Sequence, residues 1–380
     1  MKVLIVMGGF LPGKKYGGPP VSVDNFCSLL KEHSFYIITH NHDLNEEEEY
    51  PNIKTGWNDR GNCKVLYLSD DNYNKDSFEK ALLEIEPNVI YLQGVFQSCV
   101  FPCLYLAKKH KIPVILAPRG ELCHGALSIK KTKKQLYLFI LKLLRLNVGV
   151  KFQSTSAEET EAIERIMNAH ESEIFQLGNI PSIPKKDYNK LDKKAGFGRF
   201  VFLSRVHPKK NLLYAIKLFH KVKGQACLDI YGPIEDDDYW DDCQKEIAKL
   251  PPNISVNYKG LVSHENVHEV FSRYDAFLFP TLSENYGHVI VESLLVGTPV
   301  IISDQTPWRG LPSQKAGWDI PLNNPNEYVT AIDSIIDESL EEYSLRSCKT
   351  KDYGFIAADI SKLKNEYQLF LNEVIANKDN

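Results

Sequence analysis

Phe279-Pro-Thr-Leu-Ser-Glu284-Asn-Tyr-Gly287-His-Val-Ile-Val-Glu292-Ser-Leu-Leu-Val-Gly297-Thr-Pro-Val300 carries the fold in miniature. An apolar run, Ala276–Phe279, stops at Pro280. A polar loop then holds Glu284, helical residues run from Gly287 to Val296, and a second β-branched run covers Val300–Ser303. Strand, helix and strand in that order imply a parallel sheet with crossover helices. Outward from this unit the alternation continues. Strands are expected at Phe200–Leu203, Cys227–Tyr231, Ile254–Tyr258 and Trp318–Pro321, with a helix over Leu212–Val222.

The first half reads the same way. Strands are expected at Val3–Met7, Phe35–Thr39, Val65–Leu68, Val89–Leu92, Val114–Ala117 and Phe152–Ser154, with helices at Val21–Lys31, Lys75–Ile85, Gln97–Lys109, Ile129–Leu146 and Ala157–Met167. Pro181 to Gly198 is polar and lysine-rich and serves as the linker. A single core stops growing near ~250–300 residues, so 380 residues with 43% apolar content imply two α/β domains. The expected boundaries are 1–185 and 186–356, with the helical segment 357–380 packing back on the first domain.

Composition excludes several classes. The formal net charge of −4 disfavours a nucleic-acid partner. Eight cysteines without a C-x2-C pair read as reduced thiols, not as a metal site or disulfide framework. Met1–Met7 is too short for a signal-peptide core, and the apolar run Leu136–Leu141 is too short for the ~20 residues of a bilayer span. A soluble, cytoplasmic protein is the expectation, either free or peripheral to the inner face of the membrane.

A helix opening at Gly287 turns N–H groups and a positive dipole end toward the loop holding Glu284, which makes an anion site. Glu292 stands ~7.5 Å further along that helix. Carboxylates only accept hydrogen bonds, and the groups beside a sugar diphosphate that need acceptors are hydroxyls. A Glu292 that merely faces solvent is the plainer alternative. Arg205, Lys209 and Lys210 follow the first strand of the second domain. These are either a solvated first turn or, since cations at a helix start oppose the dipole, the partners of an anion, which is the reading favoured. Near the N-terminus, Gly17-Gly18 precedes a helix without G-x-G-x-x-G, so a dinucleotide fingerprint is not supported.

On Gly17-Gly18, Ser204-Arg205 with Lys210, Gly232-Pro-Ile234, Tyr258-Lys-Gly260-Leu261 and Glu284 to Glu292, the chain resembles the retaining glycosyltransferases of family 4. The resemblance covers nearly the whole chain. It implies the α/β GT-B fold, two doubly wound Rossmann-like domains facing an interdomain cleft. It also implies transfer of a sugar from a nucleotide diphosphate sugar, a co-substrate, with retention, no metal and no further cofactor. Arg205 and Lys210 would hold the diphosphate and Glu284 the sugar hydroxyls. Glu292 would take the ribose, and Gly287 and His288, with Asn285 and Tyr286 beside them, the phosphate or sugar. Leu261 and Ile234 would meet the base, and Gly18 the donor phosphate and acceptor. The implied acceptor is a saccharide or a lipid-linked oligosaccharide, in cell-surface polysaccharide synthesis.

The chain departs from many relatives after the fifth strand, where Ala117-Pro-Arg119-Gly-Glu121-Leu-Cys-His124 stands. A subset of the family looks like this. Arg119 either meets a phosphate or acidic acceptor or fixes the turn, Glu121 and His124 are acceptor-side candidates, and the general base stays open. Trp308 and Arg309 either stack on ligand or pack. Ile129–Leu146 carries six basic side chains and no acid. It is either a surface for anionic membrane, through Lys131, Lys134, Lys142 and Arg145, or a core helix with a solvated basic edge. The rival functions are an epimerase or phosphorylase on the same fold, and a non-catalytic nucleotide-sugar-binding subunit.

Overall fold

The computed structural model describes all residues except Lys14, Gly17, Ile129, 189–191, Asn285 and 377–380, and the side chains of His124 and Ser128. It divides into two units, Met1–Ile180 with Ile360–Asn380, and Pro181–Asp359.

In the first unit the elements run β1 (Lys2–Val6), α1 (Gly18–Leu29), β2 (Ser34–His40), β3 (Trp57–Asp59), β4 (Lys64–Leu68), α2 (Lys75–Ile85) and β5 (Val89–Gln93). They continue with α3 (Val100–His110), β6 (Val114–Ala117), α4 (His124–Ser128), α5 (Lys131–Leu143), β7 (Val150–Ser154), α6 (Ala157–Met167) and β8 (Ile174–Gln176). The eight strands form one sheet, ordered β3-β4-β2-β1-β5-β6-β7-β8, parallel except for β3 at the edge. Side chains alternate between the two faces of each strand. Leu4, Val6, Ile90, Leu92 and Leu116 therefore share one core with α2, α3 and α6, while Val3, Ile5, Val89, Tyr91 and Ile115 share the other.

The second unit holds β9 (Phe197–Leu203), α7 (Leu212–Leu218), β10 (Gln225–Tyr231), α8 (Asp237–Ile247), β11 (Ile254–Gly260), α9 (Val267–Ser272) and β12 (Ala276–Phe279). After these come α10 (His288–Leu295), β13 (Val300–Ser303), β14 (Gly317–Ile320), α11 (Pro325–Asp337) and α12 (Leu340–Ala358). Its six-stranded sheet, ordered β11-β10-β9-β12-β13-β14, is parallel throughout. The left-handed residue Asp359 ends α12, and α13 (Ile360–Ala376) returns to the first unit. There Tyr367, Phe370, Leu371 and Val374, at helical spacing, join the core that Val23 and Phe26 of α1 also fill.

Two expectations need correction. The helix expected over Ile129–Leu146 is shorter: α5 stops at Leu143, and Arg145, at φ +52°, turns the chain. Leu146 N–H reaches back to the Leu141 carbonyl (3.0 Å), the 6→1 bond of a Schellman cap. Arg145 is therefore not on a helical face with Lys131 and Lys142. The helix expected over Leu212–Val222 breaks after Leu218 into a 3-10 turn, Phe219–Lys221. No helix among the described residues is long and apolar enough to cross a membrane.

Candidate functional site

The site in the second unit is built at the carboxyl ends of β9, β10 and β12, where open α/β sheets bind ligands. After β9, His207 caps a 3-10 turn, Pro208–Lys210, by accepting the Lys209 N–H through its ring (3.1 Å). After β12, Leu282 N–H donates to the Lys209 carbonyl (3.0 Å) and Asn211 Nδ2 to the Pro280 carbonyl (2.8 Å). These bonds stitch the two loops together. As a result Lys210 Nζ sits 2.5 Å from Glu284 Oε2, with both side chains largely buried, and 5.6 Å from the Phe279 ring centroid. The Glu284 backbone N–H is held by the Gln305 carbonyl at 3.0 Å.

Gly287 begins α10 at φ +78°, and a Cβ there would stand 2.7 Å from Ile290 Cδ1. The structure gives a local reason for glycine, a left-handed entry that an L side chain rarely adopts. Glu292, on α10, is 2% exposed. Its Oε1 has no hydrogen-bond partner, and burial pushes the carboxyl pKa up to about 8. His264 Nδ1 is 3.9 Å from that oxygen, and burial lowers the pKa of its ring. His264 escaped sequence reasoning: it comes from a loop before α9 that carries no motif.

Arg205 is turned toward Glu235, with Nη1 3.1 and 3.0 Å from the two carboxylate oxygens, so its guanidinium is engaged before any ligand arrives. Gly232, at φ +135°, lies so close to the Ser204 carbonyl that a Cβ would be 2.0 Å away. This contact lets Ile234 pair with Val206 as an isolated bridge. Leu261 projects into solvent after β11. Tyr286, whose hydroxyl pKa burial raises, is edge-on to His288 (4.9 Å) and to Trp308 (5.8 Å). Trp308 is buried and donates through Nε1 to the Tyr286 carbonyl at 2.5 Å. Of the two alternatives for Trp308, packing is thus the one with a partner. Arg309 Nη1 donates to the Asp304 carbonyl (2.7 Å).

In the first unit, Gly18 opens α1, and nothing lies within 4 Å of a Cβ placed there. Arg119 follows β6 at φ +56°, and its Nε donates to Gln93 Oε1 (2.8 Å). Glu121 Oε2 accepts the backbone N–H groups of Val95 (2.5 Å) and Phe96 (3.1 Å), so this carboxylate braces the loop after β5. Gly17, Asn285 and the His124 side chain lie outside the described residues. Thus Lys210, Glu284, Gly287 and Glu292 come together around the start of α10, while Arg205 is turned toward Glu235.

Residues 185–351 match the family described as Glycosyl transferases group 1. The GtfA subunit of the UDP-N-acetylglucosamine–peptide N-acetylglucosaminyltransferase of Streptococcus agalactiae is 26% identical over 210 residues, 51% of this chain and 40% of that protein. An uncharacterized glycosyltransferase of Methanocaldococcus jannaschii is 24% identical over 158 residues, 40% of each. The chain therefore spans less than half the length of these curated relatives. Among solved structures, the sucrose-phosphate synthase of Thermosynechococcus elongatus superposes with a TM-score of 0.70 at 13% identity, covering 99% of both chains. HepE of Anabaena, in complex with UDP and glucose, gives 0.65 at 14%, covering 98% of this chain and 100% of that one. The chain thus has the GT-B fold of two Rossmann-like parallel sheets, and its match to Glycosyl transferases group 1 supports a glycosyltransferase.

Proposed function

We propose that the chain moves a sugar from a nucleoside diphosphate sugar, with retention and without a metal at the donor site, to a saccharide or lipid-linked acceptor. The observation that carries this is the buried Lys210–Glu284 pair beside α10, with Glu292 unsatisfied in the same helix. Lys210 supplies fixed positive charge for the diphosphate, and the N-terminal end of α10 adds its dipole. Both count most as the glycosidic bond breaks and negative charge grows on the leaving phosphate. Arg205 joins them by exchanging Glu235 for the diphosphate. Glu284 accepts hydrogen bonds from the sugar hydroxyls. Glu292 offers its bare oxygen to ribose hydroxyls, which are donors as a phosphate is not. In retaining transfer the departing phosphate itself can take the acceptor proton, so no protein base is required. An epimerase or a phosphorylase would share the donor site, and product analysis separates them. A merely binding subunit has no need of the Lys210–Glu284 pair.

Screening nucleoside diphosphates for thermal stabilisation in excess chelator tests the reading, with UDP first because solved HepE holds it. One of them at about 100 times its Kd is expected to add about 2.7 kcal/mol. Stabilisation that vanishes with EDTA and returns with a divalent ion would refute the metal-free donor site. If no nucleoside diphosphate stabilises the protein, the whole reading falls.

The acceptor side of this proposal rests on α5. Lys134 does not belong to an outward basic face, because its Nζ donates to the Ala126 carbonyl (2.7 Å) and lies 4.9 Å from the Phe96 ring centroid. Lys142 points toward Asn168 (3.4 Å). The exposed apolar residues of α5 are Leu136, Phe139, Ile140 and Leu143 at helical spacing, with Leu144 at its end and Val148 beyond. Exposed Lys130, Lys131, Lys133 and Arg145 border the row, and no acid interrupts it. Apolar insertion beside cations suits an anionic bilayer, where a lipid-linked acceptor would sit. Phe139→Ser with Leu143→Ser is expected to abolish cosedimentation with vesicles containing anionic lipid while donor affinity is unchanged. Equal sedimentation of variant and wild type would show that the row does not enter lipid.

A further inference from the structure

His40, His42 and Asp70 have no part in the reaction proposed above, yet the sheet of the first unit brings them together. Parallel pairing of β2 with β4 sets His40 opposite Leu68. His42 then follows β2, and Asp70 opens the 3-10 turn after β4. Asp70 Oδ1 lies 2.8 Å from His40 Nδ1 and 2.9 Å from His42 Nε2, and the three atoms fall within 4.8 Å of one another. Among the described residues, no other three His, Cys, Asp or Glu side chains come so close.

One carboxylate oxygen faces two imidazole nitrogens here. His42 Nδ1 is 2.9 Å from the Asp43 carbonyl, which can only accept, so Nδ1 carries the hydrogen. A neutral His42 then turns a bare Nε2 toward a carboxylate oxygen that is also bare. His40 Nδ1 is buried and approaches the same oxygen without the alignment of a hydrogen bond. One divalent cation satisfies all three atoms at once.

We propose that His40, His42 and Asp70 form a binding site for a first-row divalent transition metal, zinc by preference, completed by water. Two imidazoles and a carboxylate suit that class better than Mg2+ or Ca2+, which take oxygen sets. Ligand atoms at about 2.0–2.2 Å from a tetrahedral ion stand about 3.3–3.6 Å apart. Moving Asp70 outward by about 0.4–0.8 Å opens that space on its side, and its side chain is 74% exposed. The supporting contacts resemble those of established sites. The second nitrogen of His42 is fixed by a backbone carbonyl, and the His40 ring stacks on buried Tyr73 (centroids 3.9 Å apart, 29° between planes). The ion would tie the connection after β2 to the turn after β4, at the carboxyl edge of the sheet.

The test uses the full chain without a histidine tag, stripped with chelator and re-equilibrated. Zn2+ is titrated by calorimetry, and Co2+ by its visible absorption. One equivalent is expected to bind. Asp70→Asn and His42→Gln should each weaken Zn2+ by about 100-fold or more, with circular dichroism confirming that each variant is folded. Zn2+ should raise the melting temperature of the wild type and leave that of Asp70→Asn unchanged. Uptake of less than one equivalent by wild type, or binding by both variants equal to wild type, overturns the site and leaves a proton-bridged cluster. Nucleoside diphosphate affinity is measured alongside, so the outcome is independent of the glycosyl-transfer proposal.

Discussion

Lys210→Met is expected to lower turnover by about two to three orders of magnitude, the scale of losing one preorganised charge at a developing anion. Glu284→Gln is expected to lower it comparably, but the two should differ in their effect on free nucleoside diphosphate. Lys210 Nζ is bound to Glu284 Oε2 in a largely buried pair. Removing the cation leaves the Glu284 carboxylate facing an incoming diphosphate with nothing to neutralise either, so affinity falls with turnover. Replacing the carboxylate by an amide of the same shape keeps Lys210 in place and relieves that repulsion. Nucleoside diphosphate affinity should then hold or rise, while the sugar loses its strongest acceptor. Calorimetry with the nucleoside diphosphate and steady-state kinetics with the full donor distinguish the outcomes. If Glu284→Gln weakens the free nucleotide as much as it slows transfer, Glu284 serves the diphosphate and the division of roles is wrong.

The sheets were legible because their strands are continuous apolar runs buried on both faces. Val3–Val6 and Ala276–Phe279 are buried along their whole length and could sit only in the middle of an α/β domain. β3 left no such mark, since Trp57-Asn-Asp59 has neither length nor alternation and becomes a strand only because β4 offers an edge. α5 was legible as a helix but not in its end. The turn at Arg145 uses a residue that sequence rules do not associate with positive φ, where glycine is usual.

The site divides in the same way. Glu284, Gly287 and Glu292 lie within one strand-loop-helix unit, so their spacing is set locally. Lys210 reaches Glu284 because the sheet order sets β9 next to β12, which the alternation of elements leaves open. Glu235 and His264 come from separate loops, and only the folded chain shows that one holds Arg205 and the other faces Glu292. The lysines of α5 show the limit of reading charge from composition. Six cations in one segment suggested a basic face, yet a backbone carbonyl and an aromatic ring turn one of them inward, and the face that remains is apolar.

Glu292→Gln is expected to stabilise the protein at alkaline pH and to flatten the pH dependence of its stability. The carboxyl has an ordinary pKa of 4.5, which burial raises to about 8, and its Oε1 finds no hydrogen bond in compensation. Below about pH 4.5 the group is protonated in the folded and unfolded chains alike, and burial of a charge costs nothing. As pH rises from there the unfolded chain ionises first, the folded chain binds more protons, and stability falls until about pH 8. The full loss is about 5 kcal/mol at 1.36 kcal/mol per pH unit. Glutamine has no charge to bury, so the variant should escape this loss. Urea denaturation at about pH 5 and about pH 9 measures it, and an equal decline in variant and wild type would place the cause elsewhere. On its proposed role at the ribose, the same carboxyl should link stability to donor binding. Ribose hydroxyls that donate to it favour the ionised form, so binding should lower its pKa and release up to one proton near neutral pH. Calorimetry of the nucleoside diphosphate in two buffers of different ionisation enthalpy reads that proton directly. Wild type should release it, and Glu292→Gln should bind more weakly and release none.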